Sequence, residues 1–155
     1  MMKITKNQNR FAWYAALFIT GFVMALFISG IASAKELTLL EQINSIREAP
    51  LKQDKQLNKI ATERCLKMKV FSHDEFWSEY NWKIFAQGYK YRGENLYNLI
   101  SPPGQYTLDQ IAFEAFLNSP THKSNMLDKN FTKIGVSICD NKTMGKVVVA
   151  LFAGK

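Results

Sequence analysis

The 155-residue sequence contains few of the residues from which most metal and nucleophile sites are built. It has only two cysteines and two histidines, and neither a His-Glu-x-x-His nor a Gly-x-Ser-x-Gly motif occurs in it. The sequence therefore lacks the helical zinc-protease motif and the nucleophile turn of serine hydrolases. It also shows no internal repeat and no low-complexity segment. Because 47% of its residues are hydrophobic, its composition is that of a folded domain and not of a disordered chain.

Acidic residues are absent from the first 34 positions, where three basic residues precede an uncharged run from Phe11 to Ala34. This pattern predicts an N-terminal apolar export helix, whose positive end stays inside while the following domain moves outside the cytoplasm. Ala32-Ser33-Ala34 has the small-x-small spacing of a cleavage signature. The run is also long enough for a membrane-spanning helix of about 20 residues. We therefore expect either a signal peptide or a membrane anchor over residues 1–34 and one domain over residues 35–155.

Basic residues exceed acidic ones only modestly in the predicted domain. Three of the 20 basic residues lie in the export segment, so 17 basic against 13 acidic residues leave a balance of +4. These residues are scattered along the chain, and we expect no nucleic-acid partner. An anionic cell surface or an envelope partner is the expected neighbour.

The two cysteines are Cys65 and Cys139. In an exported protein such a pair permits one disulfide. Two buried, unpaired cysteines behave as small apolar side chains and explain the same pattern. The sequence leaves both interpretations open.

Hydrophobic spacing predicts three long helices. Thr38 and Thr107 each begin a capping-box pattern, with a glutamate or glutamine three residues later. The first helix must end near Pro50, and the third ends at about Asn118. Between them, apolar residues three or four apart predict a second helix that runs from about Leu57 to Val70.

The segment Phe71–Tyr97 has no clean hydrophobic period, and we expect an irregular region there. It contains nine aromatic residues, which are Phe71, Phe76, Trp77, Tyr80, Trp82, Phe85, Tyr89, Tyr91 and Tyr97. Aromatic side chains beside a cleft can bind a lipid, sterol or sugar ring, and they can equally fill a core. Trp77 and Trp82 are the candidates for ligand contact.

A short helix and a hairpin complete the predicted domain. Ser119 followed by Pro120 is typical of a helix start, and it places His122 in the first turn. Residues 134–138 and 147–152 are rich in β-branched side chains and read as two antiparallel strands. Helices early and strands late predict an α+β fold in which helices cover an antiparallel sheet.

Six short motifs occur in order between Leu39 and Ala153. They are Met68, Phe71-Ser72-His73, Gly88-Tyr89, Gly93-Glu94-Asn95-Leu96, Ser119-Pro120-x-His122-x-x-Asn125-Met126-Leu127 and Phe131-Thr132-Lys133-Ile134-Gly135-Val136. In this order and spacing the sequence resembles bacterial SCP-like domains of the CAP superfamily, which comprises cysteine-rich secretory proteins, antigen 5 and pathogenesis-related proteins. The resemblance implies an α-β-α sandwich.

The same resemblance places His73, Glu94 and His122 in one central cleft. Two imidazoles and a carboxylate suit Zn²⁺ or another transition metal, with water in the remaining position, so the three are candidate metal ligands within reach of one ion. Each also has a structural alternative, a hydrogen-bonded histidine or a glutamate that accepts N–H bonds in a turn. Asn95 is either a cleft-lining amide or a turn residue.

One position departs from the animal and plant members of that family. They have a second acid three residues after a tryptophan on the third long helix, whereas this sequence has Phe116 and Ser119. Ser119 is therefore expected in the cleft, in the place of the acid. The loss of that acid weakens any mechanism that needs two carboxylates.

Two functions fit these residues. The first is a non-enzymatic extracellular module that binds a lipid, sterol, glycan or partner protein. The second is a metal-dependent, peptidase-like hydrolase that uses a zinc-bound water. Such an enzyme needs a general base beside the metal, and Glu94 cannot serve freely as that base if it is a ligand. The sequence therefore favours the binding module, and it specifies neither the ligand nor the oligomeric state.

Overall fold

Two helical layers cover a four-stranded sheet in the part of the chain that the computed structural model describes, residues 36–99 and 104–155. The predicted export helix and its cleavage site lie outside these residues. Leu37–Lys155 belong to one compact unit. Among the described residues, no helix is both long enough and apolar enough to cross a membrane.

Helices and strands are interspersed along the chain. The elements are α1 (Leu39–Ser45), β1 (Lys52–Gln53), α2 (Lys55–Lys67), a π-helix (Phe76–Tyr80), α3 (Asn81–Phe85), β2 (Tyr91–Leu99), α4 (Leu108–Asn118), α5 (Pro120–Leu127), β3 (Lys133–Asn141) and β4 (Gly145–Gly154). The strand order is β1-β3-β4-β2. The three long strands are antiparallel, and only the two-residue β1 pairs in parallel with its neighbour. The predicted α+β class and antiparallel sheet are thus confirmed.

Local sequence signals fix the helix starts. Thr38 and Thr107 both form complete capping boxes, as predicted. The end of α2 depends on a residue that is distant in the sequence, because Asn141 Nδ2 on β3 donates to the carbonyls of Cys65 and Met68. These bonds satisfy carbonyls at the helix C-terminus, and the helix ends at Lys67, three residues before the predicted Val70.

Strand β4 is the centre of the core. Residues 147, 149, 151 and 153 face a cluster with α2, the π-helix and α3. Residues 148, 150 and 152 face a second cluster with α1, α4 and α5. Because successive side chains of a strand point to opposite faces, burial of both sets gives the α-β-α sandwich.

The segment Phe71–Tyr97 is far more regular than predicted. It contains the π-helix, α3 and most of β2, which pairs with β4 from Tyr91 to Leu99. Strand β2 was not predicted because residues 93–96 are all buried. The alternation of apolar and polar residues that indicates a half-buried strand is therefore missing. Within the segment Phe76 and Tyr80 are buried, while Trp77 and Trp82 are 57% and 60% exposed.

Two contacts join α2 closely to the sheet. Cys65 and Cys139 form a disulfide between α2 and β3, with their Cα atoms 6.1 Å apart. Gly135 on β3 lies directly under the helix, where a Cβ would collide with backbone atoms of Leu57 and Asn58. The glycine of the Ile-Gly-Val motif is therefore required by the close approach of α2.

Candidate functional site

The two histidines meet at the β2 edge of the sheet. His73 lies between α2 and the π-helix, and His122 is the third residue of α5. Their ring centres are 6.0 Å apart and the ring planes are inclined by 59°. Both rings line an open cavity of about 250 Å³. The nine lining residues are His73, Phe76, Trp77, Arg92, Gly93, Glu94, Thr121, His122 and Asn125.

Two adjacent residues of β2 hold the two histidine segments. Glu94 Oε2 lies 2.8 Å from His73 Nδ1. Asn95 Nδ2 donates to the backbone carbonyl of His122 at 3.0 Å. Neighbouring side chains of a strand point to opposite faces, so Glu94 holds the layer that contains His73 and Asn95 holds the layer that contains His122. The Glu-Asn pair thereby brings both segments to one edge.

A buried arginine that the sequence motifs did not predict completes the site. Arg64 Nε donates to Glu94 Oε1 at 3.1 Å, and its Nη atoms bind Glu75 Oε2 and the Ser72 carbonyl, both at 2.5 Å. The side chains of Arg64 and Glu94 are 0% and 1% exposed. A signal for Arg64 exists in the sequence, since it lies three positions after Ala61 on the apolar stripe of α2. A charged residue on such a stripe indicates a buried ion pair.

The two imidazoles have different surroundings. A carboxylate only accepts hydrogen bonds, so His73 donates from Nδ1 to Glu94 and keeps a lone pair on Nε2 when the ring is neutral. Burial, and to a smaller extent the nearby His73, lowers the pKa of His122 below its ordinary value of 6.5. His122 also packs edge-on against Phe116, with ring centres 5.2 Å apart. Near neutral pH His122 is thus an uncharged ring.

The two rings lie near the spacing that one shared transition-metal ion requires, and the Glu94 carboxylate is already hydrogen-bonded to other side chains. An ion about 2 Å from one nitrogen of each ring lies about 3 Å from each ring centre, and tetrahedral coordination places the two centres about 5 Å apart. The observed 6.0 Å exceeds this spacing by about 1 Å. Both oxygens of Glu94 bind other side chains. Among the described residues, no group of three His, Cys, Asp or Glu side chains is arranged to hold a metal. His73 and His122 are therefore the candidate donors, and water would have to complete the shell.

Asn95 differs from both predictions made for it. It lies within β2 and its side chain is fully buried, so it is neither a turn residue nor a residue that lines the cleft. Its Oδ1 accepts from Asn125 Nδ2 at 2.9 Å, which adds a second bond to α5. Gly93 leaves room beside Asn95, because a Cβ there would lie 3.0 Å from the Phe131 ring and 3.3 Å from Asn125 Oδ1.

Ser119 is the N-cap of α5, with Pro120 in the first turn, as predicted. It lies outside the nine residues that line the cavity. Its expected place in the cleft is therefore not observed among the described residues.

The two exposed tryptophans occupy different places. Trp77 lines the histidine cavity, and its backbone N–H donates to the carbonyl of His73 at 3.2 Å. Trp82 lines a separate groove between α2 and α3. Larger cavities of about 340 Å³ occur elsewhere, but their linings contain no histidine among the described residues, so we place the site by its chemistry.

The α-β-α sandwich and the two histidines at one sheet edge are the features expected of a CAP domain. Sequence comparison identifies the same family. Residues 40–152 match the CAP model, the cysteine-rich secretory protein family. The chain belongs to this family. It is 32% identical over 133 residues to the protein YkwD of Bacillus subtilis (strain 168). The match covers 79% of this chain and 48% of YkwD, so the chain spans about half the length of that relative.

Solved structures share the fold. An outer surface protein of Borrelia burgdorferi aligns with a TM-score of 0.63 and 24% identity, over 76% of this chain and 90% of that one. A cysteine-rich secretory protein of Staphylococcus aureus gives 0.56 and 18%, over 76% and 37% of the two chains. Venom allergen-like protein 4 of Schistosoma mansoni gives 0.53 and 14%, over 75% and 81%. At these identities the likeness extends to the fold alone.

Proposed function

We propose that this CAP-domain protein is exported and binds a ligand without chemical turnover in the cavity beside His73 and His122. One observation carries the proposal. Glu94 is the sole acid among the nine residues that line the cavity, and Arg64 and His73 occupy both of its oxygens.

Hydrolysis by a metal-bound water would need a carboxylate or imidazole that is free to take a proton. For Glu94 to do so, it would have to leave a buried guanidinium, and an uncompensated buried charge is costly. If His73 and His122 hold the ion, neither ring is free for that proton. The residues of the cavity thus suit binding better than catalysis.

The lining favours a sugar ring over a lipid or sterol. Trp77 is an exposed aromatic side chain, and the polar residues Thr121 and Asn125 line the same cavity. Sugar rings combine an apolar face with hydroxyl groups. The cavity volume is about 250 Å³, whereas small-molecule sites typically have about 300 to 1,000 Å³. We therefore expect one sugar ring, or one end of a glycan chain, to enter the cavity.

Zinc is compatible with this role. His73 and His122 would hold the ion, and Glu94 would orient His73, as carboxylates orient metal-binding histidines in many proteins. When bound, the ion would supply a Lewis-acidic contact for a ligand oxygen.

Three observations support an extracytoplasmic location. The uncharged run from Phe11 to Ala34 has the pattern of an export segment. The Cys65–Cys139 disulfide is typical of an oxidising compartment. A structural relative is described as an outer surface protein of its own organism. These features agree with either a cleaved signal or a retained anchor.

Glycan binding with Trp77→Ala and Trp82→Ala tests the proposal. The two variants remove similarly exposed tryptophans, of which Trp77 lines the cavity and Trp82 does not. We expect glycans on an array to bind the wild type and the Trp82→Ala variant, and to bind the Trp77→Ala variant at least tenfold more weakly. A parallel screen with peptide, ester and glycan substrates should show no zinc-dependent turnover. Turnover that is lost in folded His73→Ala and His122→Ala variants would contradict the proposal and establish the hydrolase.

A further inference from the structure

Arg92 is the one permanently cationic side chain among the nine that line the cavity. It precedes Gly93-Glu94 on β2, and because it lies two positions before Glu94 its side chain projects from the same face of the strand. The two Cα atoms are therefore about 7 Å apart along β2. Arg92 is half-buried, so its guanidinium is partly removed from water.

The guanidinium of Arg92 is held in place but not saturated. Its Nη1 donates to the Tyr89 carbonyl at 3.1 Å, and its central carbon lies 5.1 Å from the centre of the Phe85 ring. Its Nε is buried and has no hydrogen-bond partner among the described residues. No carboxylate in residues 36–99 and 104–155 forms an ion pair with it.

The other two arginines of the described chain differ in this respect. Arg64 binds two carboxylates and a carbonyl. Arg47 donates to four backbone carbonyls near the end of α5 and in its own turn. Both are structural cations with satisfied donors. Arg92 instead makes one hydrogen bond and no ion pair, so N–H groups of its guanidinium other than the buried Nε remain for a ligand in the cavity.

The ion pairs around the cavity point in the same direction. The one acid of its lining, Glu94, pairs with Arg64 at 3.1 Å, and Arg64 also pairs with Glu75 at 2.5 Å. Arg92 belongs to neither pair, so its charge has no direct partner among the described residues. A guanidinium is also well suited to planar oxyanions, since it can donate two parallel N–H bonds.

We infer that Arg92 makes the cavity selective for a ring that bears an oxyanion, which means an acidic saccharide and not a neutral one. This inference rests on the proposed binding function and specifies its ligand class. Trp77 contacts the ring and Arg92 contacts the oxyanion. A carboxylate of a uronic acid and a phosphate of a sugar phosphate share this chemistry.

Three matched disaccharides test the inference. They share one scaffold and end in glucose, glucuronate or glucose 6-phosphate, so they differ only in the group at C6. Their Kd values are measured by NMR titration with the full chain in a detergent that has no sugar headgroup. The variants are Arg92→Gln, Arg92→Lys and, as the control, Lys90→Gln, which removes a nearby exposed charge outside the cavity.

We expect the wild type and Lys90→Gln to bind at least one acidic disaccharide tenfold or more tightly than the neutral one, since hydrogen bonds to charged groups contribute about that much or more. Arg92→Gln should bind all three disaccharides with equal affinity. Arg92→Lys should keep part of the preference for acidic sugars, because lysine retains the positive charge but cannot donate two parallel N–H bonds. Preference for glucuronate alone, for the phosphate alone or for both identifies the source of the oxyanion.

Equal affinity of the wild type for all three sugars would overturn this inference and leave the proposed function standing. A preference that survives in Arg92→Gln would also overturn it. If Arg92→Gln does not fold, the affinities of the wild type and of Arg92→Lys still decide the question. Binding of none of the three sugars would instead overturn the proposed glycan-binding function, and the inference with it.

Discussion

The side-chain amide of Asn95 donates to the backbone carbonyl of His122 at 3.0 Å, from a fully buried position on β2. The bond holds the first turn of α5 through its backbone, and it leaves the imidazole free to face the cavity. On the opposite face of the same strand Glu94 contacts the imidazole of His73 directly. Two adjacent strand residues therefore position the two histidines in different ways.

Substituting Asn95→Ala removes two buried hydrogen bonds and leaves the His122 carbonyl without this partner. We expect the free energy of unfolding to fall by about 1 to 3 kcal/mol, and zinc binding to weaken because α5 is less firmly placed. Urea denaturation and zinc titration measure the two effects. The control is Asn98→Ala on the same strand, whose Oδ1 is buried without a partner among the described residues. If Asn98→Ala lowers the free energy of unfolding as much as Asn95→Ala does, the two hydrogen bonds of Asn95 have no special role in holding α5.

Substituting Arg64→Met leaves the carboxylate of Glu94 buried without its guanidinium. Removal of one partner of a buried ion pair costs about 3 to 5 kcal/mol, and we expect a loss of that size in urea denaturation. Adding Glu94→Gln to Arg64→Met should restore most of the lost stability, because the double variant no longer has a buried carboxylate charge without its guanidinium. Lys67→Met is the control, because the exposed Lys67–Glu63 pair should contribute less than about 1 kcal/mol. Similar losses for Arg64→Met and Lys67→Met would disprove this account.

Removing the disulfide with the double variant Cys65→Ala and Cys139→Ala should destabilise the fold. The bond closes a loop of 74 positions, and the loop-entropy model assigns such a closure about 4 kcal/mol. The loss should be seen in urea denaturation, and reduction of the wild-type protein should reproduce most of it. If the oxidised protein and the variant unfold at the same urea concentration, the bond does not stabilise the native state.

Acidification should destabilise the protein through His122. Because burial and His73 lower its pKa in the folded state, the unfolded chain takes up the proton more readily, and stability falls as the pH drops below about 6.5. Above that pH His122 is neutral in both states and costs no stability. The loss of stability is complete once the pH is below the pKa of His122 in the folded state. We expect a lower free energy of unfolding at pH 5.5 than at pH 7.5 in EDTA. His122→Gln should reduce this difference, whereas an NMR midpoint of His122 above 6.5 would refute the prediction.

Local sequence signals predicted much of the secondary structure. The capping boxes at Thr38 and Thr107, the start of α5 at Pro120 and the β3–β4 hairpin all depend on residues only a few positions apart. Such interactions are visible in the sequence because the chain makes them with its own neighbours. The ordered motifs identified the CAP family, and with it His73, Glu94 and His122 as one site.

Only the tertiary structure decided how that site is built. Arg64 contacts Glu94 across 30 positions, and Asn95 contacts His122 across 27. Strand β2 is hidden in the sequence because layers on both faces bury it, which removes the alternation that identifies a strand. The pairing of Cys65 with Cys139 likewise depends on α2 lying on β3. Residue type and local spacing determine which elements form, but contacts between distant side chains depend on the directions in which packed elements point them.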